Sequence, residues 1–157
     1  MLTLLDVLRW VHVIGATVLL GTGAGIAFFM LRAHRTGDAR VIAHVAGTVV
    51  VADLLFTAAA VVMQPISGLA LAYLTGWPLG TPWLVASIAL YLVTGLCWLP
   101  VVWLQLRLRD LARRAASEDQ PLPPRYHQLF RYWFALGIPA FVAVLAIIAL
   151  MLKRPQW

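Results

Sequence analysis

The chain has 157 residues, of which 62% are hydrophobic and only 11% charged. A soluble globular domain carries about 25% charged residues, so the composition excludes one and points to a chain that spans a membrane. The net charge of +6 implies no nucleic-acid partner, because the basic residues sit in short blocks between long uncharged runs.

Residues 10–31, 54–106 and 132–152 contain no Asp, Glu, Lys or Arg. A transmembrane helix needs about 20 apolar residues. The first and last runs fit one span each. The middle run fits two, divided by the turn-forming sequence Thr75-Gly76-Trp77-Pro78-Leu79-Gly80-Thr81-Pro82. The expected fold is an all-α membrane protein, a four-transmembrane-helix bundle forming one domain over 1–157, with helices at about 5–32, 44–74, 82–110 and 127–152. The first run is too long for a signal-peptide core, and no small-residue cleavage site precedes a soluble domain. The single Cys97 excludes an intramolecular disulfide and a multi-cysteine metal site.

In the first helix Asp6, Arg9 and His12 follow at i, i+3 and i+6 and share a polar edge. His12 lies about a turn inside the boundary, on a face with Gly15, Ala16 and Leu19. Gly21 and Gly25 form a small-xxx-small pair that suits close approach of another helix. The following loop, with Arg32, Arg35 and Arg40, is short and basic, and His34 and His44 beside it read as solvated or interfacial.

The second helix carries an acid. Asp53, Thr57, Ala60, Gln64 and Ser67 fall on one narrow face at about 100° per residue. A carboxylate inside a bilayer costs roughly 2.5–3.5 kcal/mol on insertion scales, and such groups face the bundle interior. Residues 41–47 either extend this helix or lie along the interface, and Pro65 is expected to kink it. Tyr73, Trp77 and Trp83 mark an aromatic belt.

The third helix has a stripe of its own: Ser87, Tyr91, Thr94, Trp98 and Gln105. Set against the stripe of the second helix, it predicts a polar seam in which Asp53, Thr57, Gln64 and Ser67 face Ser87, Tyr91 and Thr94. The loop after it joins an arginine cluster, suited to anionic headgroups, to the proline-rich stretch 117–124. The fourth helix has no polar stripe and reads as a structural wall. Nine of the twelve basic residues lie in or beside the first and third loops. The positive-inside rule then puts those loops in the cytoplasm of a bacterial cell and both termini outside its inner membrane.

The run from His12 to Asp38, together with Gln64-Pro65-Ile66-Ser67-Gly68, Trp98-Leu99-Pro100-Val101-Val102-Trp103 and Trp133-Phe134-Ala135-Leu136-Gly137-Ile138-Pro139, resembles a bacterial family of predicted integral membrane proteins with a domain of unknown function, DUF2269. The resemblance covers essentially the whole chain and implies a four-helix inner-membrane protein with no established activity. A histidine early in the first helix and a kinked second helix with a late glycine also resemble the HemJ-type protoporphyrinogen oxidases and the CopD membrane domain. The former imply haem b, and the transferable position is His12.

Three functional readings stay open on the sequence. In the first, a haem b serves a redox role, with His12 as axial ligand, Met63 as second ligand and Arg9 pairing with a propionate; the plain alternative is that His12 hydrogen-bonds Gln64, Ser67 or a backbone carbonyl. In the second, Asp53 carries charge in a pathway for a small polar molecule, an ion or a proton, oriented by Gln64 and Tyr91; the plain alternative is an anchor paired with Arg131 or Arg107. In the third, the chain is an accessory subunit of a membrane complex with no site of its own, set in the lipid bilayer beside a membrane partner or further copies of itself.

Overall fold

The computed structural model describes residues 2–155. It comprises four helices: α1 (Leu4–His34), α2 (Ala39–Leu74), α3 (Pro82–Ser117) and α4 (Pro124–Lys153). Each is long and apolar enough to cross a bilayer. The chain is thus a multi-pass membrane protein with the expected four-helix, all-α architecture.

The helix ends follow local chemistry. Thr3 caps α1: its hydroxyl accepts from the Asp6 N–H while the Asp6 carboxylate accepts from the Thr3 N–H. Asp6 therefore serves as a cap while its charge still faces Arg9 one turn on. Gly37, at φ 68°, turns the chain ahead of α2, and Asp38 accepts from the N–H groups of Arg40 and Val41 to cap it. Pro82 and Pro124 occupy first turns, where a missing N–H costs little.

Both loop 1 and loop 3 are shorter than expected. Residues 41–47 belong to α2, α3 continues to Ser117, and α4 starts at Pro124. The two 36-residue helices α2 and α3 are about 54 Å long at 1.5 Å per residue, against a hydrocarbon core of about 30 Å. Arg40 and Asp119 pair at 2.9 Å across the two loops. Both side chains are largely exposed, so the pair contributes little stability, but it places both basic loops at one end of the bundle.

The main apolar core also lies at that basic end. Met30, Ile42, Ala46, Leu108, Ala112 and Tyr126, from all four helices, are wholly buried there. A small second cluster, Ala72, Trp83 and Leu84, closes the opposite end around the α2–α3 turn. α3 and α4 pack along much of their length, α1 lies mainly on α2, and the first part of α2 lies on α3.

α2 departs from α-helical geometry at Asp53–Thr57, a π-helical turn in which the Ala58 N–H bonds to the Asp53 carbonyl. The irregular turn falls at the acid and not at Pro65, which sits inside regular helix.

Candidate functional site

One face of α2 stays buried along its length, and its chemistry changes at Asp53. Ile42, Ala46 and Val49 continue into Asp53, Thr57, Ala60, Gln64 and Ser67, all buried. The apolar part packs in the core at the basic end. The polar part has partners on two different helices.

Toward α1, Gln64 donates from its amide to the His12 carbonyl at 2.7 Å, and the His12 Nδ1 lies 2.9 Å from the Ser67 hydroxyl. Two glycines make this approach possible. A Cβ on Gly15 would stand 2.6 Å from Gln64 Nε2, and one on Gly68 would stand 3.0 Å from His12 Cε1. The close helix contact is therefore at Gly15 and Gly68. Gly21 has no such neighbour within 4 Å and Gly25 meets only its own Phe29, which corrects the expectation for that pair.

The Ser67 hydroxyl has one proton, and the Met63 carbonyl at 2.7 Å takes it, the common back-bond of a helical serine. His12 Nδ1 is then the donor to Ser67. Nε2 keeps its lone pair and has no hydrogen-bond partner among the described residues.

Toward α3, two side chains cross. Pro65 has no N–H to offer the carbonyl one turn back, that of Val61, and the Tyr91 hydroxyl donates to it instead. Trp98 Nε1 donates to Asp53 Oδ1 at 3.4 Å. Ser87 and Thr94 donate into their own helix, to the carbonyls of Trp83 at 2.8 Å and Leu90 at 2.9 Å. The seam is thus not two facing stripes. It is one stripe on α2 that turns Gln64 and Ser67 to α1, and Asp53 and the Val61 carbonyl to α3. Gln105 is drawn the other way, accepting from Trp133 Nε1 of α4 at 3.1 Å in a fully buried contact.

Asp53 is 6% exposed and pairs with no cation among the described residues. Neither arginine considered as an anchor meets it: Arg107 lies over the Trp103 ring at 5.5 Å, and Arg131 is at the exposed surface. Beside it on the π turn, the buried Thr57 hydroxyl lies close to the Asp53 carboxyl without a well-formed hydrogen bond to any other group. A carboxyl with no cation beside it and a neighbouring hydroxyl, next to a turn that loosens the helix ladder, can hold a proton or a small cation.

The haem ligand set is not assembled between the helices. Met63 is 43% exposed on the outer side of α2, and Arg9 is exposed. The contacts of His12 with Gly68 and of Gln64 with Gly15 fill the space between α1 and α2 at that level, leaving no cleft there for a macrocycle.

His34 departs from a solvated placement. Its ring stacks on Phe130 at 3.8 Å, and its Nδ1 is buried without a partner. The sequence signal was the aromatic run at the start of α4, which brings Tyr126 and Phe130 onto one face.

A family model described as a predicted integral membrane protein (DUF2269) matches residues 6–155. No curated protein and no solved structure matches the chain.

Proposed function

The chain belongs to the DUF2269 family of predicted integral membrane proteins, and from that premise we propose that it handles a small cation, the proton included, at an intramembrane site centred on Asp53 and Thr57. The observation that carries the reading is a buried carboxyl with no cation opposite it, beside a buried hydroxyl, on a π-helical turn of a transmembrane helix. Tyr91 and Gln64 hold α2 against its neighbours and so fix the site. The basic loops face the cytoplasm and both termini face outward across a bacterial inner membrane, following the distribution of arginines. Purified protein in vesicles carrying an internal dye for pH or for sodium tests the cation reading. Wild type should dissipate an imposed gradient and Asp53→Asn should not; a wild type inert to proton, sodium and potassium gradients sinks it.

A second reading, a haem b ligated by His12 in a redox role, is favoured by one feature. A ligating imidazole commonly donates its other N–H to a fixed acceptor, and Ser67 is such an acceptor for Nδ1. The haem would then bind Nε2 from outside the α1–α2 contact. A Soret band in the purified protein that disappears in His12→Ala supports it. A wild type that stays colourless after expression with ample haem rejects it. A protein both colourless and impermeable is left with the accessory role.

A further inference from the structure

At the basic end, α2 and α3 leave a surface groove of about 690 Å³ that the cation site does not use. Its floor is Gly47, and its head is Arg113, whose guanidinium stands 3.3 Å from where a Cβ on Gly47 would be. Absence of a side chain at position 47 is what lets the guanidinium lie in the groove. Arg113 has no carboxylate partner among the described residues: the two ion pairs there are Arg40 with Asp119 and Arg109 with Asp110. His44 lies exposed beside it in the same lining. From that polar head the groove runs along α2 past Val51 to Phe56. Nine residues of helix, about 13 Å of rise, carry it from the charged end of the bundle toward the level of the π turn.

A free guanidinium at one end and apolar walls leading inward match a molecule with an anionic head and a long apolar tail. We propose that this groove is a binding site for an anionic phospholipid. Its phosphate pairs with Arg113 beside His44, and one acyl chain lies along Val51 and Phe56. Arginine suits the task because its planar fork can donate two hydrogen bonds to one phosphate. The proposal does not depend on what Asp53 carries.

Native mass spectrometry of the full chain in detergent tests it, with phosphatidylglycerol, phosphatidylcholine or inorganic phosphate added. Wild type should retain phosphatidylglycerol in preference to phosphatidylcholine. Arg113→Ala should lose about tenfold in retention, the scale of one hydrogen bond to a charged group. Gly47→Leu, which fills the floor, should lose it too. Arg114→Ala, an exposed neighbour on the same helix, should retain it. Equal retention of the two lipids overturns the proposal, as does an equal loss in the Arg113 and Arg114 variants. Inorganic phosphate competing as well as the lipid would show a phosphate site without an acyl groove, and would overturn it also.

Discussion

Asp53 meets one indole N–H at 3.4 Å and no cation, and this decides what its replacement does. Removing one half of a buried ion pair strands the other half at several kcal/mol; here no charge is stranded, only the Trp98 N–H where the replacement cannot accept it. Asp53→Asn, which keeps an acceptor for Trp98, is expected to fold with a stability change within about 1 kcal/mol, and Asp53→Leu, which does not, at a cost of about 1–3 kcal/mol, both measured by denaturation in mixed detergent, while cation flux is lost. A loss of several kcal/mol would reveal a cationic partner. At His12 the balance is different. Ser67→Ala leaves Nδ1 without its acceptor and should cost about 1–3 kcal/mol. Gly15→Ala drives a Cβ to 2.6 Å from Gln64 Nε2 and should be destabilising, whereas Gly21→Ala, with open space around it, should be neutral or stabilising through better helix propensity. The sequence made the buried face of α2 legible through its spacing. It did not show which glycines on α1 would meet that face, because a small residue permits close approach without specifying where it occurs.

At the scale of the element, α2 contains a proline that interrupts its hydrogen-bond ladder without interrupting the helix. The carbonyl that Pro65 leaves free is satisfied from another helix by Tyr91, as a backbone group in lipid requires. Tyr91→Phe should therefore cost about 1–3 kcal/mol. In a Pro65→Ala background position 65 regains its N–H and the penalty should shrink. A double-mutant cycle measures that coupling, and additive effects would break the link. Helical periodicity alone put Tyr91 and Trp98 on one face of α3, and both reach α2. Ser87 and Thr94 share that face yet bond within their own helix, the usual local option for short hydroxyl side chains. The π turn had no sequence signal: an acid, two leucines, a phenylalanine and a threonine also fit an ordinary helix.

For the whole molecule, uncharged runs of span length were enough to read the four helices, since lipid leaves a backbone few alternatives. Their extension beyond the bilayer was less legible, because packing of Met30, Ile42, Leu108 and Tyr126 sustains helix where the sequence is already basic. Orientation is testable directly. Reporter fusions in the 35–38 turn and the 118–123 loop should behave as cytoplasmic, and one after the last residue as periplasmic; a cytoplasmic C-terminus would invert the placement. Arg40→Ala should leave stability within about 1 kcal/mol, as for other exposed pairs. The uneven packing of the four helices has a mechanical counterpart. α3 and α4 are joined to each other far more extensively than α4 is to α1. Pulled by its C-terminal end in a force microscope, the protein should leave the bilayer as two hairpins. α3 and α4 come out first, and the rupture that detaches them breaks α3 from α2, the Tyr91 and Trp98 hydrogen bonds included. The second force peak then measures, in isolation, the grip between the two helices that remain, the contact of His12, Gly15, Gln64 and Ser67 among it.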